Sequence, residues 1–276
     1  MTQKPTAKRI VLELLTATDS HTGSAANLVA AGAVLGVDEG NIRVALARLV
    51  AAGTLELAGR GEYRLGATTR ALTAQVTSWR ELEKQVRTWD GGWACVQLGE
   101  LGRSDRSALR RRERALKLHG FRELARTFAM RPDNLAGGIA TLRTQLHAIG
   151  LDERAVIFRA TDLDANTERR ARALWDADKL TQTYRQTIAR ISRFLVSITE
   201  LAPRSAAREA FFFGSDVLRM IMFDPRLPEP LVDVRARRGL LDAARRLDFA
   251  GRRLWAQLFA LPHGLVVTAE DHHDYS

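Results

Sequence analysis

The sequence predicts an α+β fold that is mostly helical and has three parts. Apolar spacing predicts three short helices and a β-hairpin within residues 1–66, and a β-α-β-β-α-β order over residues 91–164. From residue 165 to residue 262 only helical periodicity is found. The chain has 276 residues, 46% of them hydrophobic, and is therefore long enough for two or three domains that each bury a core.

The three N-terminal helices are predicted from apolar spacing and from residues that can cap a helix. Apolar residues recur at helical intervals over 10–15 and over 24–35, and a third helix is expected over 39–52. The hydroxyl of Ser24 and the carboxylate of Asp38 can each accept hydrogen bonds from the first free backbone N–H groups of the helix that follows.

The hairpin is predicted from alternation along the next segment. Leu55 and Leu57 point to one face and Glu56 to the other, and Tyr63 and Leu65 match the two leucines across a glycine-rich turn. Three helices followed by a hairpin is the element order of a winged helix-turn-helix domain.

The third predicted helix divides into an apolar face and an outer face of small and polar residues. The apolar face consists of Ile42, Ala45, Leu46 and Leu49. Small outer residues let a helix approach the major groove, an arginine can donate twice to guanine, and Asn41 can pair with adenine. Arginines on the hairpin can contact a phosphate or the minor groove. The candidate DNA-binding residues are therefore Asn41, Arg43, Val44, Ala47, Arg48, Arg60 and Arg64. The alternative is a solvated surface helix with incidental arginines.

Five short sequence blocks carry a resemblance to a known family, in family order over almost the whole chain. They are 42–50 with Gly53, 59–60 with 63–65, 89–93, 120–121 with 131–132, and 224–228. With these blocks the chain resembles the PaaX family, the phenylacetic acid degradation repressors. Two segments depart from the family pattern: the hairpin turn at 59–62, which is short and holds a glutamate, and the arginine-rich stretch at 234–239.

The resemblance implies a function and an architecture. It implies a dimeric transcription repressor with a winged helix, a ferredoxin-like middle domain and a helical C-terminal region. Its partners would be a double-stranded DNA operator, a second copy of the chain and an effector such as an aryl- or acyl-coenzyme A thioester.

The middle of the chain is predicted to begin with a connecting helix over 67–90, in which Leu72, Val76, Trp79, Leu82 and Val86 are spaced by three or four residues. The β-α-β-β-α-β order that follows is that of a ferredoxin-like domain.

The first helix of this region is rich in arginine, and Arg110, Arg111 and Arg114 are its candidates for effector binding. Three interpretations stay open for this helix: a solvated face, extra phosphate contacts to DNA, or a clamp for the phosphates of a coenzyme A ligand. Trp89 and Trp93 beside a glycine turn can line an aromatic pocket, but simple packing is the more common arrangement.

Composition and motifs limit the function classes. The net charge of +10, from 42 basic and 32 acidic residues, favours an anionic partner, although residues 1–65 are nearly neutral. Cys95 is the only cysteine, and the chain has no signal sequence or membrane-length apolar run, so a cytoplasmic protein without disulfides is expected. In the tail at 263–276, the adjacent His272 and His273 could bind a metal ion, but the pattern favours a frayed terminus.

No catalytic motif is found, so neither an enzyme nor a cofactor or metal is expected. The alternative function is a metal-dependent nucleic-acid hydrolase built on the middle domain, although its first strand offers no carboxylate for a metal ion. A protein-interaction module is a third hypothesis.

Overall fold

A computed structural model describes residues 6–18, 20–67, 69–70, 78–99 and 105–258. The fold is α+β and mostly helical, with two small antiparallel sheets and a helical C-terminal part. The chain divides into two compact units. Unit 1 comprises Met1–Ser78, Ser192–Asp216 and Arg245–Ser276, and unit 2 comprises Trp79–Ile191 and Val217–Ala244.

The described elements at the start of unit 1 follow an α-β-α-α-β-β order. These are α1 (Ala7–Ala17), β1 (Thr22–Ser24), α2 (Ala25–Val34), α3 (Glu39–Ala51), β2 (Leu55–Gly59) and β3 (Glu62–Leu65). Both predicted caps are confirmed, because Ser24 Oγ accepts from the Asn27 N–H at 3.1 Å and an Asp38 carboxylate oxygen accepts from the Asn41 N–H at 2.9 Å.

The first sheet has the strand order β1-β3-β2. The predicted hairpin register is confirmed, since Leu55 pairs with Leu65 and Leu57 with Tyr63. Strand β1 was not predicted; it pairs with β3 so that Thr22 faces Arg64.

The core of this region joins α1, α2, α3 and the hairpin, and Ile10, Leu28, Ile42 and Leu55 are among its buried residues. Helices α2 and α3 approach so closely at Gly32 that a Cβ there would lie 2.7 Å from Ile42 Cγ1. In the turn between α2 and α3, Gly36 has φ +81°, a conformation that glycine adopts without strain.

The predicted connecting helix over 67–90 is only partly correct. Leu72 and Val76 lie outside the described residues. Ser78–Gln85 forms a 3₁₀ helix with a non-helical residue at Glu81, and residues 86–90 are not helical. The helical prediction is wrong there because Val86 forms a β-bridge with Leu135, whose hydrogen bonds replace those of a helix.

The middle of the chain has the predicted β-α-β-β-α-β order. Its elements are β4 (Trp93–Gln97), α4 (Arg106–Leu118), β5 (Arg122–Ala125), β6 (Phe128–Pro132), α5 (Gly138–Ala148) and β7 (Val156–Ala160). The sheet order is β5-β6-β4-β7, and all neighbouring strands are antiparallel. Ala94 and Val96 on β4 belong to the same core as Leu116 of α4 and Leu142 of α5.

The C-terminal part is helical, as predicted. Its long elements are α6 (Ala165–Arg172), α7 (Ala177–Ser197), α8 (Pro203–Met222) and α9 (Val234–Leu258). Helix α8 ends two residues before the Asp224-Pro225 pair that was expected to end it. The tail at 263–276, including His272 and His273, lies outside the described residues.

Candidate nucleic-acid interface

Helix α3 has the two faces that its sequence predicts. Ile42, Ala45, Leu46 and Leu49 are buried in the core of unit 1. The exposed residues of the helix include the five predicted contacts Asn41, Arg43, Val44, Ala47 and Arg48. Arg60 at the hairpin turn and Arg64 on β3 are exposed as well.

The first turn of α3 is fixed by its cap. Asp38 accepts from the backbone N–H of Asn41, and the Asn41 side-chain amide donates to the other carboxylate oxygen. The Asn41 N–H is the largest of the influences that hold the pKa of Asp38 below its ordinary value. Asn41 is thus both a predicted base contact and a partner of the capping carboxylate.

Two of the predicted arginines form ion pairs on the protein surface. Arg43 Nε lies 2.7 Å from Glu39 Oε1, one helical turn earlier. Arg64 Nε lies 3.0 Å from Oε2 of Glu56, its cross-strand neighbour. Sequence reasoning missed both carboxylates, although the spacing of four residues and the hairpin register were sufficient to find them.

The pKa of Glu56 is lowered, first because the carboxylate accepts from the Ala67 N–H and then because it accepts from Arg64. The Ala67 nitrogen lies 3.1 Å from Glu56 Oε1. Glu56 therefore stays ionised and keeps Arg64 on the outer side of the hairpin.

A groove of about 330 Å³ runs between the start of α1 and the outer face of α3. Lys8 and Arg48 both line it, together with Asn41, Val44 and Ala52. Within the described part of the chain, neither Lys8 nor Arg48 has a hydrogen-bonded or ion-paired side-chain partner. Lys8 was not a predicted site residue, because sequence alone does not bring α1 beside α3.

The arginine-rich helix α4 distributes its side chains around its axis. Arg110, Arg111 and Arg114 are exposed, whereas Arg112 is buried. Arg111 donates to the hydroxyl of Ser107 at 2.8 Å. Such divergence is typical of a solvated face, the first of the three interpretations of this helix.

The tryptophans beside the glycine turn are packed. Trp93 and Trp175 are buried, with stacked rings 6.3 Å apart, and Trp89 meets Trp93 edge-on at 5.3 Å. The indole N–H of Trp93 donates to Glu168 at 2.8 Å. The packing interpretation of this pair is confirmed.

A buried polar network in unit 2 lies where two of the sequence blocks that carry the family resemblance meet, the block at 120–121 with 131–132 and the block at 224–228. Arg131 is fully buried and donates to the Pro132 carbonyl at 3.0 Å, to the Asn134 side chain at 2.7 Å and to the His119 carbonyl. A Cβ on Gly120 would lie 2.7 Å from the backbone of Pro225, so the two segments are in close contact.

One protein-family model matches the C-terminal part of the chain. Residues 175–257 match the family model of the PaaX-like protein C-terminal domain. The chain carries a PaaX-like C-terminal domain. The matched segment contains the block at 224–228, and the PaaX resemblance inferred from the short blocks is confirmed.

A solved structure shares the fold of this PaaX-like chain. It is the uncharacterised protein Rv0674 from Mycobacterium tuberculosis, with 23% sequence identity and a TM-score of 0.58. The match covers 91% of this chain and 99% of the other. No curated protein matches the chain.

Over the described ranges, no group of three His, Cys, Asp or Glu residues can hold a metal ion. No helix within those ranges is long and apolar enough to cross a membrane. The hydrolase alternative finds no support in the family match.

Proposed function

We propose that this PaaX-like chain is a transcription regulator that binds double-stranded DNA through α3. The observation that carries the proposal is the outer face of α3, where small residues alternate with polar and basic ones above a fully buried opposite face. The family match is to regulators and supports the same class of function.

The elements around α3 suit this role. Helices α2 and α3, joined by the turn at Gly36, form the helix-turn-helix, and β2 and β3 form a short wing. Helix α3 enters the major groove, where Arg43, Val44 and Ala47 contact base edges. Arg60 and Arg64 contact phosphates beside it.

The regulator acts as a homodimer that represses transcription. Two α3 helices of a dimer bind successive major grooves on a site with pseudo-twofold symmetry, about 10 base pairs apart. The middle domain is ferredoxin-like, which its strand order β5-β6-β4-β7 supports.

An anionic effector such as an aryl- or acyl-coenzyme A thioester releases the DNA. A coupling free energy of about 1–3 kcal/mol between effector and DNA gives a 5- to 150-fold loss of affinity. Arg110, Arg111 and Arg114 are exposed cations that can bind the phosphates of such a ligand.

A DNA-shift assay with the full chain tests these proposals. The fragment is the region upstream of the protein's own gene, with a shuffled fragment of the same composition as the control, each at several salt concentrations. A preference for the native fragment, with affinity that falls as salt rises, is expected. Absent or salt-insensitive binding overturns DNA binding and favours a protein partner.

A panel of acyl-coenzyme A thioesters then tests release, and unchanged binding with every thioester overturns that class of effector.

A further inference from the structure

The groove between α1 and α3 has a basic lining without a neutralising carboxylate. Lys8 and Arg48 line it, and none of its lining residues is acidic. The neighbouring cations differ: Arg9 is paired with Glu13 at 2.6 Å and Arg43 with Glu39 at 2.7 Å.

The rest of the lining is mixed, and part of it is small and apolar. Ala7 from α1 and Ala45 and Ala52 from α3 contribute short side chains, so the sugars of a nucleic-acid backbone can lie against them. A nucleic-acid backbone alternates such apolar sugars with phosphates, which are the groups that Lys8 and Arg48 can bind.

The groove also follows the outer face of α3. Asn41, Val44 and Arg48 line it and are spaced by three and four residues, so they lie along one edge of the helix. When α3 lies in a major groove, this edge faces one of the two DNA strands that border it.

We propose that the groove seats the backbone of one DNA strand, with Lys8 and Arg48 each contacting a phosphate. This inference rests on the proposed function and adds α1 to the DNA-binding surface. It assigns Arg48 to phosphate binding, which leaves Arg43 as the arginine that contacts a base.

The test compares Lys8→Gln with Lys8→Arg and with the control Lys179→Gln in the full chain. Lys179 is exposed on α7 and lies outside the proposed DNA-binding surface, so the control removes the same charge elsewhere. Binding of the native and shuffled fragments is measured as a function of salt. Loss of one phosphate contact makes the negative slope of log K against log salt shallower by about 0.9. This change corresponds to about eightfold weaker affinity at ~0.1 M salt.

We expect Lys8→Gln to lose this much affinity for both fragments, while Lys8→Arg and Lys179→Gln bind like the wild-type chain. Arg48→Gln is expected to weaken both fragments equally, because phosphate contacts carry no sequence information. If the wild-type chain binds DNA and Lys8→Gln binds it as well as Lys179→Gln does, the groove proposal is overturned. DNA binding by α3 is not affected by that result. Failure of the wild-type chain to bind either fragment overturns the proposed function and the groove with it.

Discussion

Glu39 and Arg43 form an ion pair on the outer face of α3, with 2.7 Å between Oε1 and Nε. Both side chains remain more than half exposed, so the pair presents a carboxylate and a guanidinium side by side to any DNA at this face. Guanine offers acceptors to arginine, and cytosine offers a donor to glutamate.

Replacing Arg43 is expected to relax sequence preference. In Arg43→Gln, discrimination at one base pair falls by about 1–3 kcal/mol, because a bidentate contact to guanine is lost. Competition shift assays with fragments that each carry one changed base pair measure this. Arg122→Gln, an exposed change on β5, serves as the control. Equal weakening of every fragment contradicts a base contact by Arg43.

Replacing Arg64 is expected to weaken all DNA sequences alike. Its partner Glu56 holds it at 3.0 Å on the outer side of the hairpin, where it can reach a phosphate. Arg64→Gln lowers the slope of log K against log salt by about 1, with the ranking of fragments unchanged. A change in that ranking would assign Arg64 to base recognition instead.

The faces of α3 and the register of the hairpin were predictable because both depend on local periodicity. Buried residues at helical spacing and alternating residues in strands are visible in the chain itself. Strand β1 was missed because Thr22–Ser24 is short and polar, and its partner β3 lies some forty residues away. The error over 86–90 has the same origin, since Val86 is held by the distant Leu135.

The exposed residues of the candidate site on α3 and the hairpin were predictable from the sequence, but the contact between α3 and α1 was not. Exposure of Arg43, Arg48 and Arg64 followed from periodicity, whereas Lys8 joined the site only through the packing of α1 on α3. The role of Arg131 was equally hidden, since an arginine in a predicted strand does not reveal that the carbonyls of Pro132 and of His119, at the end of α4, accept from its side chain.

Gly32 is expected to be intolerant of any side chain. A Cβ there would lie 2.7 Å from Cγ1 and 2.9 Å from Cδ1 of Ile42, and Ile42 is fully buried. Gly32→Ala should lower the stability of unit 1 by about 1–3 kcal/mol, and thermal unfolding of the full chain measures it. The control Gly40→Ala adds a methyl group on the exposed first turn of α3 and should be neutral or slightly stabilising. Equal unfolding midpoints for the two variants contradict the close approach of α2 and α3.

Arg131 is expected to be essential for the stability of unit 2. In Arg131→Met, the acceptors on Pro132, His119 and Asn134 lose their buried donor, at a cost of about 3–5 kcal/mol. Urea unfolding followed by tryptophan fluorescence measures the loss, with the exposed Arg122→Met as control. A difference of under about 1 kcal/mol between the two variants would show that the network contributes little.

His119 is expected to make stability fall in mild acid. Burial, with the nearby charge of Arg226 as the next cause, lowers the pKa of His119 to about 4 from its ordinary value of 6.5. Between these two values the unfolded chain binds a proton that the folded chain does not, so stability is complete above pH 6.5 and is lost as the pH falls toward 4. The shift corresponds to about 3 kcal/mol.

Urea unfolding of the wild-type chain and of His119→Gln at several pH values between 7 and 4 isolates this contribution. The carboxylates titrate in both proteins, so their effect cancels in the difference between the two free energies of unfolding. We expect the advantage of the wild-type chain over the variant to shrink steadily below pH 6.5, because only the wild-type chain takes up this proton on unfolding. A difference that stays constant across that range would mean that His119 is protonated to the same extent in the folded and unfolded chains, contrary to its burial at the end of α4.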